Sequence, residues 1–268
     1  MTPSVAATDL VLAYGSHVAI AASTFTIPTG GVTAVIGPNG SGKSTLLSAI
    51  AGLLEPRSGR LEVPARAHDR HRIAYVLQTT KVNDVLPVTV REIVLMGRFA
   101  GAGAFGRVGR PRDRVAVDEA MERLGITELA NRHLRELSGG QRQRVFVAQG
   151  LAQPHDMLLL DEPLTGIDLP TAQAIDEVIH DERSRGCTVI LTTHDLSEAR
   201  VADYTVLLSG RAVAAGPSDE VLTEANLVEA YGPSLLHVGE GRLFLDDPAH
   251  TPVPGRHIHR REGLGSDD

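Results

Sequence analysis

Gly37-Pro38-Asn39-Gly40-Ser41-Gly42-Lys43-Ser44, with Thr45 behind it, combines residue types suited to holding phosphate. The glycines let backbone N–H groups converge on an anion with no Cβ in the way, and a helix starting near Lys43 adds its positive dipole end. Lys43 can neutralise β- and γ-phosphates, and the Ser44 hydroxyl can serve Mg²⁺. Thr45 can add one more phosphate contact. The stretch matches G-x-x-x-x-G-K-[ST] and follows an apolar β-rich run over 32–36, which is the context the motif requires.

A second set of groups lies about 120 residues further on. Met157-Leu158-Leu159-Leu160-Asp161-Glu162 is an apolar strand ending in two carboxylates, the form of a Walker B strand. Such a strand delivers acids to the C-terminal edge of a sheet, where ligands of open α/β sheets bind. Neighbouring strand side chains point to opposite sides, so the two acids can take different roles. Asp161 is expected to hold Mg²⁺. Glu162 is expected to polarise the water that attacks a γ-phosphate.

The elements that must position these groups are visible as short apolar runs over 32–36, 73–77, 157–160, 188–193 and 206–209, separated by helical stretches. Alternation of this kind implies an α/β fold with a mostly parallel sheet covered by helices. Between residues 91 and 149 the pattern turns helical, interrupted by a Gly- and Arg-rich loop over 101–112. After about Tyr231 the periodicity fades into a Pro-rich, charged stretch expected to be poorly ordered. The expected division is a domain over 5–231, a helical subdomain over about 91–149 and an extension over 232–268.

At 268 residues and 42% hydrophobic content the chain can bury a sizeable core. A formal net charge of -7 argues against a surface devoted to nucleic acid, so no nucleic-acid partner is expected. Cys187, the single cysteine, excludes an intramolecular disulfide and a thiolate cluster, and is expected to be a small core residue. No run of about 18 apolar residues is present, and no positive region precedes an apolar stretch at Met1–Leu10, so neither a membrane span nor a secretory signal is expected.

Leu137-Ser138-Gly139-Gly140-Gln141 resembles the signature that separates ABC ATPases from other P-loop proteins, and residues 9 to about 231 resemble that family in motif order and spacing. The resemblance implies a P-loop NTPase core, an antiparallel β portion near the N-terminus and an inserted helical subdomain. It also implies that Ser138, Gly139, Gly140 and Gln141 complete an ATP site on a second copy, giving a homodimer in the ATP-bound state. A hydroxyl and small glycines at a helix start form an anion site, and this chain already has a cradle for its own phosphates. By the same resemblance Tyr14 stacks on adenine, Gln78 touches Mg²⁺ or the attacking water, and His194 contacts the γ-phosphate as a catalytic group with Gln78 and Glu162. Asp168, in Thr165-Gly166-Ile167-Asp168, resembles the D-loop acid that couples the two sites. That loop departs from the more common Ser-Ala-Leu-Asp, and Gln149-Gly150 stands where many relatives carry Arg-Ala; neither change removes a catalytic group.

Cargo enters through resemblance alone. Residues 86–98 are similar to importer ATPases for zinc, manganese or iron chelates, and residues 163–168 and 222–227 to zinc and manganese members in particular, so zinc, or else manganese, is the expected cargo. Iron-chelate or other transport, and a soluble ABC ATPase outside transport, stay open as alternatives. The resemblance implies ATP and Mg²⁺ as cofactors, a multispanning permease received by a groove over 79–98, and an extracytoplasmic metal-binding protein reached through the permease. It places the chain on the cytoplasmic face of the cell membrane. His237, His250, His257 and His259 could ligate zinc, but Arg256, Arg260 and Arg261 would repel a cation, and a solvated tail is the expectation.

Overall fold

The computed structural model describes residues 3–68, 72–78, 87–99, 109–232, 236–239 and 242–245. β1 (Val5–Tyr14) and β2 (His17–Ile27) form an antiparallel hairpin in which Tyr14 pairs with His17. Gly15 turns the chain at φ 55, a conformation that a Cβ would penalise. β3 (Gly31–Ile36) then enters the main sheet and runs into α1 (Lys43–Ile50). β4 (Ser58–Glu62) returns to the other edge of β1, completing a three-stranded antiparallel sheet, and α2 (Pro64–His68) leads to β5 (Ile73–Val76).

A helical segment follows: α3 (Val90–Met96), α4 (Pro111–Arg123) and α5 (Gly139–Ala152). The chain returns through β6 (Met157–Leu160), α6 (Leu169–Ser184), β7 (Thr188–Thr193), α7 (Leu196–Val201), β8 (Tyr204–Leu208) and β9 (Ala212–Pro217). α8 (Ser218–Val221) and α9 (Glu224–Tyr231) close the described helices. β10 (Leu236–Gly239) and β11 (Arg242–Leu245) pair antiparallel, where the sequence pattern gave no expectation of a strand. Residues 79–86 of the expected docking groove, 101–108 of the Gly-rich loop, and His250, His257 and His259 lie outside the described residues.

The main sheet has the order β5-β6-β7-β3-β8-β9, parallel except for β9. Its central strands are buried on both faces, and side chains alternate between two cores. Leu158, Leu160, Val189 and Leu191 join Ala34 and Ile36 under the helices α5, α6 and α7. Met157, Leu159, Ile190 and Val35 face the other way, against α1 and the antiparallel sheet. Among the described residues no helix is long and apolar enough to cross a membrane.

The helical segment is held by caps and by one buried ion pair. Thr89 and Glu92 form a reciprocal capping box at the start of α3, with Glu92 Oε2 accepting from the Thr89 N–H at 2.8 Å. Arg98, just beyond α3, donates to Asp113 on α4 at 3.0 Å and to the Ala152 carbonyl at the end of α5 at 2.7 Å. Asp113 also accepts from the backbone N–H groups of Gly109 and Arg110 at 3.1 and 3.0 Å, which starts α4. The two side chains are only 14% and 6% exposed, so loss of one partner strands the other out of water. Arg98→Ala should cost stability toward the lower end of about 3–5 kcal/mol, because Asp113 keeps its backbone donors. Urea denaturation measures this; a loss under about 1 kcal/mol would show that the pair behaves as a solvated one.

Candidate functional site

Four neighbouring parallel strands deliver the site from their C-terminal ends. β3 leads into the glycine-rich loop, β5 into Gln78, β6 into Asp161 and Glu162, and β7 into His194. This is the edge at which open α/β sheets bind ligands; Val76 pairs with Leu160 and Ile36 with Thr193, which levels β5 with β6 and β3 with β7, and Leu160 pairs with Leu191, two residues short of the end of β7.

The loop is packed so closely at Gly37 and Gly42 that no side chain fits there. A Cβ on Gly37 would lie 2.1 Å from the Leu208 carbonyl oxygen, and one on Gly42 would lie 2.5 Å from the Ile20 side chain. Gly42 also holds φ 101 at the start of α1. Lys43 is buried, and its ammonium donates to the carbonyls of Gly37 at 2.9 Å and Pro38 at 3.3 Å. Burial lowers the Lys43 pKa from the usual lysine range, and the Glu162 and Asp161 carboxylates oppose that shift.

The carboxylates are tied together through their neighbours. Ser44 Oγ donates to Asp161 Oδ1 at 3.1 Å, and Thr192 Oγ1 donates to the same oxygen at 2.6 Å. Thr192 Oγ1 in turn accepts from the Glu162 N–H at 2.8 Å. Glu162 has φ 47, in the left-handed region that costs a side-chain-bearing residue energy. The chain therefore turns sharply between the two acids, and Thr192 pins the turn. Gln78 Nε2 donates to Glu162 Oε2 at 2.7 Å, bringing the ends of β5 and β6 into contact. The oxygen donors Ser44 Oγ and Asp161 Oδ1 converge beside the cradle, and an all-oxygen pair of this kind fits a hard cation such as Mg²⁺.

A cleft of ≈ 270 Å³ lies over the loop, lined by Asn39, Gly40, Gly42, Lys43, Ser44, Thr45 and Glu162, with Tyr14, His17 and Ala19 from the N-terminal hairpin. Tyr14 is 53% exposed, leaving ring surface available to a planar ligand. His194 follows β7 directly and is half-buried. Ser41 is buried within the loop. Ser138, Gly139, Gly140 and Gln141 are not part of the cleft lining. Ser138 caps α5 by accepting from the Gln141 N–H at 3.3 Å, while Gln141 Oε1 accepts from the Ser138 N–H at 3.0 Å. Ser138 and Gly139 are exposed. Gly140 packs against α6: a Cβ there would meet Thr171 Oγ1 at 2.7 Å and Asp168 Oδ1 at 3.3 Å. Asp168 caps α6, accepting from the Thr171 N–H at 3.0 Å.

Thr192 and His17 escaped the sequence reading. Thr192 gives no local signal, because its link to Asp161 exists only through the pairing of β6 with β7. His17 could have been found, since a two-residue turn at Gly15-Ser16 sets it opposite Tyr14.

A P-loop after β3, two acids at the end of β6 with β7 between the two strands, and a capped LSGGQ helix start define an ATP-binding cassette. The family model for ABC transporter matches residues 20–165. The zinc transport system ATP-binding protein TroB of Treponema pallidum is 40% identical over 91% of this chain and 94% of its own length. The chelated iron transport system membrane protein YfeB of Yersinia pestis is 38% identical over 91% of this chain and 84% of its own. The manganese transport system ATP-binding protein MntA of Synechocystis is 37% identical over 81% and 85%. Among solved structures, a metal-chelate type ABC transporter in an inward-facing conformation superposes with a TM-score of 0.75 at 28% identity, covering 91% of this chain and 96% of that one. The chain belongs to the ABC transporter family of ATP-binding proteins, and its fold is that of an ATP-binding P-loop cassette.

Thr192→Val removes the shared hydroxyl while keeping the side-chain shape. It should cost about 1–3 kcal/mol in denaturant unfolding and lower ATP turnover far more than ATP affinity, because Asp161 and Glu162 each lose a partner. Unchanged turnover would show that the hydroxyl has no part in setting the two acids.

Proposed function

We propose that the chain is the ATP-hydrolysing subunit of an importer for a transition metal, with zinc or manganese as the cargo. The observation that carries the hydrolytic reading is the contact of Gln78 with Glu162 beside the Ser44–Asp161 pair and the Lys43 cradle. Gly37, Pro38, Asn39, Gly40, Ser41, Gly42, Lys43, Ser44 and Thr45 hold the triphosphate, and Tyr14 receives the adenine. Ser44, Asp161 and Gln78 would hold Mg²⁺, which would supply the positive charge that offsets the negative charge of the phosphates. Glu162 accepts the proton of the water that attacks γ-phosphorus; the bond to the β-bridging oxygen breaks, leaving ADP and phosphate. Gln78 orients Glu162 through its amide and keeps an acceptor for the water. His194 steadies the γ-phosphate.

The exposed capped start of α5 is a second anion site set apart from the chain's own cleft, and this supports a homodimer that sandwiches two ATP molecules. Two-fold pairing of that kind gives each nucleotide one cradle and one signature from opposite copies. The close approach of Gly140 to Asp168 and Thr171 supports Asp168 as the link between the two sites. In this reading residues 5–231 are the ATPase domain, 91–149 its helical subdomain and 232–268 an extension. A multispanning permease holds the dimer at the cytoplasmic face of the membrane, and an extracytoplasmic metal-binding protein supplies the permease.

Transition-metal cargo is supported by the names of the relatives, which cover zinc, manganese and chelated iron. The same names favour an iron-chelate cassette as the second reading. Glu162→Gln should keep ATP binding and accumulate closed dimers while hydrolysis falls by at least about 1000-fold, since a neutral amide cannot take the proton. Wild-type turnover in that variant rejects Glu162 as the base. A strain lacking the protein should lose high-affinity uptake of zinc or manganese; loss confined to chelated iron selects the second reading, and no uptake defect for any of the three rejects metal import.

A further inference from the structure

The end of the sheet remote from the nucleotide cleft carries a second group of chemically capable side chains. His155 lies in the link from α5 to β6, Glu182 near the end of α6, and Cys187 immediately before β7. One ligand atom from each lies within 4.8 Å of the others. The His155 and Glu182 side chains are 7% and 6% exposed, and Cys187 is buried. The three edge a cleft of ≈ 290 Å³ between α4, α6 and the start of β7.

The hydrogen bonds of His155 require explanation. Its Nδ1 is 2.7 Å from the Gln153 carbonyl oxygen, which only accepts, so the ring proton sits on Nδ1. Its Nε2 is 3.1 Å from Glu182 Oε2, and an ionised carboxylate also only accepts. Nε2 and the Glu182 carboxylate therefore face each other in the buried cluster, a placement that lets both bind one metal ion. An outer N–H donated to a backbone carbonyl is the arrangement that fixes metal-binding imidazoles. Arg123 Nη1, at 2.7 Å, and Arg185 Nη1, at 3.8 Å, both sit on Oε1 of Glu182, which leaves Oε2 to face His155.

We propose that His155, Glu182 and Cys187 form a binding site for a zinc-class divalent transition-metal ion, separate from the nucleotide site. A nitrogen, a carboxylate oxygen and a thiolate sulfur make a borderline-soft set that suits Zn²⁺ and disfavours Mg²⁺. Bonds of about 2.0–2.3 Å require the three atoms to draw in to roughly 3.3–3.8 Å from one another. The neighbouring cleft supplies a water as the fourth ligand. The Cys187 thiol proton passes to solvent as the ion enters. The inference is independent of which cargo the transporter carries.

Titration of the full chain with Zn²⁺ against a chromophoric chelator, and with Co²⁺ as an optical probe, tests it. One equivalent per chain should weaken by at least about 100-fold in Cys187→Ser and in His155→Gln, and should persist when His250, His257 and His259 are replaced by alanine. The wild-type Co²⁺ complex should show near-ultraviolet thiolate-to-cobalt charge transfer that Cys187→Ser lacks. ATP binding by each variant reports that the fold is intact; if a variant loses it, the wild-type cobalt spectrum decides alone. Absence of that charge transfer, undiminished Zn²⁺ binding in both variants, or an equivalent that follows the tail histidines overturns the proposal and leaves His155 and Glu182 as a buried hydrogen-bonded pair.

Discussion

The register of three parallel strands is the constraint on which the nucleotide cleft depends. Leu160 pairs with Leu191 and Ile36 with Thr193, so β3 and β7 finish together two residues beyond β6, which brings Asp161 alongside Thr192. Because strand side chains alternate, a slip of one residue would exchange Leu158 and Leu160 with Met157 and Leu159 between the two cores. It would also turn Thr192 away from Asp161. The apolar alternation that makes the two cores incompatible with a slipped register therefore also sets the catalytic geometry. Burial fixes the strands, and the strands fix a 2.6 Å hydrogen bond.

Much of this was legible because the chemistry is local. The cradle is nine consecutive residues whose glycines avoid contacts shorter than a Cβ allows at Gly37 and Gly42. The carboxylates adjoin an uninterrupted apolar run, and Ser138 with Gln141 carries the capping-box spacing that opens α5. Non-local features were hidden. Thr192 matters through pairing with a strand some 30 residues earlier, as the separation in its bond to Asp161 shows. Glu162 takes φ 47 although its residue type gives no warning of a left-handed backbone. Strand β5 ends at Val76 rather than at Leu77, because Leu77 and Gln78 leave the ladder and Gln78 is drawn to Glu162.

The strain at Glu162 bears on how binding and hydrolysis can be separated. Asp161 continues the line of β6, with its N–H on the Val76 carbonyl at 2.9 Å, and its carboxylate is already committed to Ser44 and Thr192. Glu162 leaves the line; its backbone is held by Thr192 and its carboxylate by Gln78. The two carboxylates thus have separate supports, one rigid and built from β7 and α1, the other reaching to the exposed end of β5, while Thr192 holds both residues. A displacement of Gln78 would move the Glu162 carboxylate and leave the Asp161 carboxylate where it is.

This asymmetry places the coupling of the proposed transport cycle on the β5 side of the site. Residue 78 leads into the segment that ends at the Thr89 cap of α3, and α3 is bound through Arg98 to α4 and to the end of the signature helix α5. A force on α3 from a docked permease would therefore act on α4 and on the Ala152 end of α5, while the phosphate cradle, enclosed between Ile20 of β2 and the Leu208 carbonyl of β8, has no comparable handle. On that argument a membrane partner of the proposed transporter would act on the timing of hydrolysis through the Gln78 side of the site, and would leave the affinity of the cradle for phosphate largely to the rigid core.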